Sequence, residues 1–174
     1  MKYLVKFFVV TFFFIISTHT FAEQKIVVLD MKYVLNNSKA GKGAQDFLEK
    51  TFKENQKRFS DQEAKLKKEE SDLLAKKSIL TKEEYQKNTD ELRKKVIDYQ
   101  SARRSSLETI TSQRATARKE LLKVLDPILN SYMKENEISF IMEKKNMILA
   151  SPDLDITNII IEKLNKKLPS LNLK

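Results

Sequence analysis

The sequence predicts an α+β protein in which one long antiparallel α-helical coiled-coil hairpin, or tentacle, projects from a small β body that associates with copies of itself. The stretch 42–132 contains only one glycine, Gly43, and one proline, Pro127. Apolar residues recur there at a seven-residue spacing, which is typical of a helix face packed against a partner helix. These residues form two series, Phe52, Phe59, Leu66, Leu73 and Leu80, and then Tyr85, Leu92 and Tyr99.

Residues 1–22 are predicted to be a secretory signal peptide that is cleaved after Ala22. Lys2 and Lys6 precede an apolar run over 7–16, and small residues lead up to the cleavage point. This arrangement is typical of an export signal, and the apolar run is short for a membrane span, which needs roughly 20 residues. An uncleaved anchor is the alternative. The signal predicts that the mature chain is a soluble protein of the periplasm.

The composition of the mature chain excludes most enzyme chemistry. Cleavage removes Lys2, Lys6 and the only histidine, His19, so that 31 basic residues face 24 acidic ones and the net charge is +7. The chain has no cysteine. Cysteine nucleophiles, Ser-His-Asp triads and histidine-ligated metals are therefore excluded. Because the acidic residues are scattered among basic neighbours, we predict that the protein is not an enzyme and has no cofactor or metal site.

The first long helix is predicted to run from near Lys42 to Lys77, with capping groups supplied by 36–38. The segment 39–43 combines glycine and lysine but lacks the spacing and the closing Lys-Ser/Thr of a phosphate loop. We interpret it as a flexible root of the helix. Polar residues interrupt the apolar seam, so the helix pairing is expected to hold the hairpin without making it rigid.

The tip of the hairpin is predicted near 78–81. Thr81 and Glu84 have the spacing of a capping box, which marks the start of the second helix. Ile79 and Leu80 either form a hydrophobic staple with that helix or remain exposed at the tip.

The second helix is predicted to continue to at least Val124 and to end within 134–137. Its apolar register changes over Arg103–Arg118, which we predict to be its most pliant part. A bend is predicted at Pro127, because proline removes one hydrogen bond of the helix.

The body is predicted to combine 23–40 with 126–174, while 41–125 forms the hairpin. Residues 26–29 read as a strand covered on both faces, and 138–142 and 147–150 as an antiparallel strand pair. Asp155 is predicted to cap a last helix with apolar residues Ile156, Ile159, Ile160, Leu164 and Leu168. So small a unit rarely buries enough surface alone, and its strands leave open edges. We therefore predict a homo-oligomer, and the residues leave the number of subunits open.

Five stretches of the chain, in their order and spacing, match the pattern of one known family. They are Lys25–Asp30, Ser38–Gly43, the Leu80-Thr81-x-x-Glu84 tip, Ile138–Met142, and the Asp155-Ile156-Thr157 helix start that leads to Leu164. In these stretches the chain resembles the Skp/OmpH periplasmic chaperones. The resemblance implies a jellyfish-like homotrimer, with a small β-barrel body and three tentacles around a cavity. It further implies that unfolded outer-membrane β-barrel proteins are held in that cavity without ATP.

The resemblance also implies one candidate site, a basic cluster for lipopolysaccharide. Ala102-Arg103-Arg104 matches the core of that cluster, and Arg93 lies ten residues upstream of Arg103. The chain departs from the family pattern after Arg104, where 105–108 supply no basic residue. Arg93, Arg103 and Arg104 are thus candidate contacts for lipopolysaccharide or an anionic membrane surface, and a solvated helix face is the alternative.

Residues and resemblance together predict an ATP-independent periplasmic holdase chaperone for unfolded outer-membrane proteins. Positive charge concentrates on 81–125, where eleven basic residues face seven acidic ones, and such a surface attracts acidic unfolded chains. A coiled-coil structural or adaptor protein of the cell envelope is the alternative, although it leaves the positive bias unexplained. Nucleic acid is not expected as a partner, because the export signal argues against it. The acidic residues interleaved with the basic ones also leave no continuous basic stripe.

Overall fold

The computed structural model describes residues 24–173, and the predicted signal peptide lies outside the described residues. A small body is formed by both ends of this part of the chain, and two long helices leave it as a hairpin. The elements in chain order are β1 (Lys25–Leu29), α1 (Met31–Asn37), α2 (Lys39–Ala75), α3 (Lys82–Glu135), β2 (Ile138–Glu143), the 3-10 turns Lys144–Asn146 and Pro152–Leu154, and α4 (Thr157–Lys167). The predicted α+β class with a long antiparallel hairpin is confirmed.

The junction between α1 and α2 is tightly packed. Ser38 is the N-cap of α2, and its buried hydroxyl accepts a hydrogen bond from the Gly41 backbone N–H at 3.2 Å. A Cβ built on Gly41 would lie 1.8 Å from the Leu35 carbonyl oxygen. The prediction that 39–43 is a flexible root is therefore wrong, because this segment is the first turn of α2 and its glycine permits a close backbone approach.

The tip of the hairpin confirms the predicted capping box. The Thr81 hydroxyl accepts a hydrogen bond from the Glu84 backbone N–H at 3.2 Å, and the Glu84 carboxylate accepts one from the Thr81 backbone N–H at 3.0 Å. The hydrogen bonds that the Glu84 carboxylate accepts from the Thr81 backbone N–H and from the Thr81 hydroxyl lower the pKa of Glu84, since they favour the charged carboxylate. In the turn before the capping box, the Ile79 side chain is 78% exposed. Of the two predicted alternatives for Ile79, a hydrophobic staple or exposure at the tip, the structure therefore shows exposure.

Helix α3 runs without interruption through Pro127 to Glu135. Asn136 caps it, and Glu137 adopts a φ of 56°, which turns the chain toward β2. Both long helices cross the predicted boundaries between the body and the hairpin. The division into 23–40 plus 126–174 and 41–125 stays a prediction, as do the bend at Pro127 and the pliancy of Arg103–Arg118.

The body contains a two-stranded parallel sheet of β1 and β2. Parallel strands need a long crossover connection, and the entire hairpin serves as that connection here. Val27, Val28 and Leu29 are all buried, which confirms that β1 is covered on both faces. The Val28 carbonyl accepts a hydrogen bond from the Ile156 backbone N–H at 2.9 Å, so the start of α4 is joined to the sheet.

The predicted antiparallel pair of 138–142 and 147–150 is wrong. Strand β2 ends in a 3-10 turn, and 147–150 contains no strand residue. Lys144 of that turn binds Asp155 at 2.6 Å, which directs the chain toward α4 instead of back along β2. Ile148 and Leu149 consequently have almost no contact with the rest of the described chain.

The hydrophobic core joins both chain ends to the roots of the long helices. The N-cap of α4 is Ile156 and not the predicted Asp155, although the Asp155 carboxylate accepts a hydrogen bond from the Thr157 backbone N–H at 2.9 Å. Ile159 was expected on the apolar side of α4, but it is 43% exposed. The buried core comprises Val27, Leu29, Val34, Leu35, Ala40, Leu121, Leu125, Ile128, Ile138, Ile156, Ile160 and Leu164.

Candidate functional site

An apolar groove of about 590 Å³ lies between α2 and α3, close to the body. Small residues create it, because Gly41, Ala44 and Ala117 place no bulky side chain between the two helices. Leu48 is buried beside them, whereas Phe52 lines the groove and remains 44% exposed. The complete lining is Leu35, Asn36, Gly41, Ala44, Gln45, Leu48, Glu49, Phe52, Ile110, Arg114, Ala117, Arg118 and Leu121.

One acidic residue and two basic residues line the groove. Glu49 is paired with Lys53 across one helical turn, and the hydrogen bond and charge of Lys53 lower the pKa of Glu49. Arg114 and Arg118 lie one turn apart on α3. The groove therefore combines an apolar floor with a net basic lining, which suits an apolar segment that carries acidic residues.

Farther from the body, aromatic and polar contacts connect the two helices. Phe59 packs against Tyr99, and the Tyr99 hydroxyl donates to a carboxylate oxygen of Glu63 at 3.3 Å. Lys95 forms an ion pair with Glu69 at 2.7 Å. A hydrogen bond from Lys67 and its charge lower the pKa of Glu63, and the Tyr99 hydroxyl and the Arg103 charge act in the same direction. The predicted mixed seam is thus present.

The hairpin also exposes several large apolar side chains, most of them outside the seven-residue series. This is unusual on a surface rich in lysine and glutamate, because isolated long helices normally place charged residues there. Sequence reasoning missed the groove, although the alanines within the heptad pattern were an available signal. It also missed Phe47 and Ile97, which fall outside the seven-residue series. The exposed set on the hairpin is Phe47, Phe52, Leu74, Ile79, Ile97 and Leu107.

The three arginines of the predicted lipid site do not share one helix face. Arg93 and Arg104 are eleven residues apart on α3, which places them on one face and about 16 Å apart along the axis. Arg93 also binds Asp90 at 3.1 Å. Arg103 is rotated by about 100° from Arg104 and lies near Glu63 of α2. The contact of these arginines with an anionic lipid stays a prediction.

Within residues 24–173, no group of three or more His, Cys, Asp or Glu side chains is arranged to hold a metal ion. None of the helices in this part of the chain has the length and apolar content that a bilayer span requires.

The fold and the groove define a helical-hairpin protein, in which a small α/β body carries two long helices with an apolar groove between them. A family model described as "Outer membrane protein (OmpH-like)" matches residues 25–164, and the chain belongs to this OmpH-like family. The predicted resemblance to the Skp/OmpH family is thereby confirmed.

Two relatives illustrate the similarity. The chain is 24% identical over 170 residues to a Skp-like protein of Pseudomonas aeruginosa PAO1, covering 95% of this chain and 99% of that protein. Its fold is similar to a crystal structure of an OmpH-like protein from Caulobacter crescentus CB15, described as a candidate outer membrane chaperone. The TM-score is 0.79 and the identity 17%, over 90% of this chain and 92% of the other.

Proposed function

We propose that this protein is an ATP-independent holdase of the periplasm, which binds unfolded outer-membrane β-barrel proteins and prevents their aggregation. The observation that carries the proposal is the apolar, basic groove at the root of the hairpin, together with membership of the OmpH-like family. A holdase must offer apolar contacts to a chain that has not yet buried its own apolar residues, and the groove offers such contacts.

The exposed apolar residues of the hairpin extend this binding surface. Each contributes little by itself, since burial of apolar surface is worth roughly 25 cal/mol per Å². Many weak contacts distributed over two long helices suit clients of different sequence. Basic residues on α3 add long-range attraction for acidic clients, which is screened beyond about 8 Å at physiological salt.

The body supports the second part of the proposal, a homotrimer whose hairpins surround one cavity for the client. The outer edge of β1 is partly closed, because Val28 is bridged to the segment before α4. Strand β2 has no second partner strand among the described residues, and such an open edge favours pairing with another chain. Phe140 and Met142 of β2 are exposed, as are Ile148 and Leu149 after it. A second and third copy would bury this apolar surface. The mass of the mature protein in solution tests this part, and a monomer would contradict it.

We also propose that Arg93 and Arg104 contact lipopolysaccharide or another anionic membrane surface. Their placement on one face of α3 supports a contact with a flat, negatively charged surface. Arg103 contributes less to this contact, because it lies near Glu63.

An aggregation assay tests the holdase directly. An unfolded outer-membrane β-barrel protein is diluted from denaturant, and its light scattering is followed with and without the mature protein. We expect the wild type to suppress scattering and Phe52→Ser to suppress it less. Leu107→Ser is the matched control, because Leu107 is similarly exposed on the hairpin but does not line the groove.

The outcomes of this assay separate the alternatives. If the wild type leaves scattering unchanged, the holdase proposal is wrong and a structural or adaptor protein of the envelope is favoured. If the wild type protects the client and both variants lose protection equally, the client is held by the hairpin surface as a whole and the groove has no special role.

A further inference from the structure

The tip of the hairpin exposes apolar side chains at the end opposite to the body. Because α2 spans Lys39–Ala75, the tip lies about 55 Å from the root of that helix. The Ile79 side chain is 78% exposed there, and Leu74, in the last turn of α2, is 58% exposed. Neither residue belongs to the hydrophobic core. Single exposed apolar residues are common on protein surfaces, so these two alone do not indicate a partner.

Positive charge surrounds the same tip. Lys76, Lys77 and Lys82 are all exposed, and 76–82 contains no acidic residue. In the part of the chain that the structure describes, none of these lysines forms an ion pair. Glu83 and Glu84 follow in the first turn of α3, where they face the positive end of the helix dipole. The three lysine charges therefore remain available to an anionic partner.

The backbone of the tip is already paired at its apex. The backbone N–H groups of Ile79 and Leu80 both donate to the Lys76 carbonyl, each at 3.1 Å. These two N–H groups are thus satisfied when the apex enters a region of low polarity, where an unpaired group would be costly. The Lys77 Nζ lies 5.9 Å from the ring centroid of Tyr85, and tyrosine is a residue that favours the boundary between apolar and aqueous regions.

From these features we infer that the tip is an interfacial anchor for anionic lipid membranes. Ile79 enters the boundary between headgroups and acyl chains, and the three lysines contact the negatively charged headgroups. Basic residues beside an exposed apolar side chain are the combination by which proteins bind to such surfaces without spanning them. A protein partner fits the tip less well, because protein interfaces are depleted in lysine and enriched in arginine and aromatic residues.

The anchor is a site separate from the groove and from the arginines of α3. Along α3, Arg93 lies about 16 Å and Arg104 about 33 Å from Lys82, which is farther than the screening length of about 8 Å at physiological salt. Charge substitutions at the tip and on α3 therefore act independently. The inference goes beyond the proposed holdase, because the anchor brings the hairpin to a membrane whether or not a client is bound.

Cosedimentation with vesicles tests the anchor in the full mature protein. The vesicles contain equal parts of phosphatidylcholine and phosphatidylglycerol, and phosphatidylcholine vesicles are the uncharged comparison. We expect Ile79→Ser to weaken binding to the anionic vesicles roughly five- to tenfold, because it removes the side chain that enters the membrane. Ile97→Ser is the matched control and should bind like the wild type. Ile97 is 58% exposed on the same hairpin, about 22 Å along α3 from Lys82.

A pair of charge variants tests the headgroup contact. Lys76→Gln with Lys77→Gln should weaken binding to the anionic vesicles at least about tenfold, since each basic residue near such a membrane contributes about a fivefold factor. Lys119→Gln with Lys123→Gln removes the same charge from exposed positions of α3 near the body. This second pair should leave binding unchanged.

A fluorescent label reports insertion itself. The chain has no cysteine, so Ser78→Cys supplies a single thiol at the tip for an environment-sensitive nitrobenzoxadiazole label. We expect its emission to shift to shorter wavelength when anionic vesicles are added, because the label leaves water. The same label on Ser60→Cys, an exposed position of α2, should keep its emission.

The results distinguish the anchor from the other proposals. If Ile79→Ser sediments like the wild type, or if the label at position 78 keeps its emission in the bound protein, the anchor is overturned. Loss of binding in Arg93→Glu with Arg104→Glu, with unchanged binding of the tip variants, would assign the membrane contact to α3 and also overturn it. A wild type that binds no anionic vesicles overturns both membrane sites, whereas the holdase is still decided by the aggregation assay.

Discussion

The ring of Phe59 on α2 meets the ring of Tyr99 on α3 edge to face, with centroids 6.0 Å apart and ring planes at 72°. Phe59 is buried, and the Arg58 guanidinium lies 4.7 Å from its ring centroid. This pair joins the helices at a point where most neighbouring residues are charged and exposed. The outer half of the hairpin therefore depends on few apolar contacts.

We expect Phe59→Ala to lower the free energy of unfolding by about 3 kcal/mol, because it removes a buried ring and its edge-to-face partner. Phe52→Ala serves as the control and should cost about 1 kcal/mol or less, since its ring is already 44% exposed. Urea denaturation at one fixed protein concentration measures both. Equal losses for the two variants would contradict a central role of the Phe59–Tyr99 pair.

The two glycines at the start of α2 should respond to alanine with opposite sign. Gly41→Ala places a methyl group against the Leu35 carbonyl and should destabilise the fold by about 2 kcal/mol. Gly43 has no neighbouring atom within 4 Å of an added Cβ, so Gly43→Ala should stabilise the helix by about 1 kcal/mol. Thermal unfolding of both variants provides the measurement, and a stabilising Gly41→Ala would show that the junction is looser than described.

Asp155 should make stability depend on pH. Partial burial by itself would raise the pKa of Asp155, but the hydrogen bonds from Lys144 and Thr157 and the Lys144 charge together outweigh it and lower that pKa. The carboxylate therefore stabilises the fold above the usual aspartate pKa of about 4, and this contribution is lost as the pH falls through the folded-state pKa.

The variant Asp155→Asn isolates this effect, because an asparagine side-chain oxygen can still accept the hydrogen bond from the Thr157 backbone N–H but carries no charge. We expect it to be less stable than the wild type at neutral pH, with a difference that closes on acidification. Asp126→Asn, an exposed position on α3, is the control. Melting temperatures across the pH range give the answer, and a difference that did not change with pH would exclude the Lys144–Asp155 pair as its source.

Binding to anionic vesicles tests the arginines of α3. A basic residue near such a membrane contributes about 1 kcal/mol, so Arg93→Glu with Arg104→Glu should weaken vesicle binding by at least about tenfold. Arg103→Glu should have a smaller effect, because Arg103 lies near Glu63 of α2. Cosedimentation with vesicles measures all three proteins. If the wild type does not sediment with anionic vesicles, the proposed membrane contact of Arg93 and Arg104 is wrong, and these arginines belong to a solvated helix face.

Much of the architecture was predictable because it follows from local rules. A capping box places Thr81 and Glu84 through hydrogen bonds between residues three positions apart, and a seven-residue period assigns Phe59 and Tyr99 to one seam. Serine at 38 marks the start of α2 for the same local reason. Predictions that depended on the neighbours of a segment were less successful, as 147–150 shows.

The sequence by itself determined the long helices, the tip between them, the strand at 26–29 and the absence of cysteine. Only the tertiary structure decided that β1 and β2 are parallel and that Gly41 is a packing residue. The physical reason is that helix periodicity and capping act over a few residues, whereas strand pairing, close backbone approach and the groove arise from residues far apart in the chain. Those distant contacts also create the groove on which the proposed function depends.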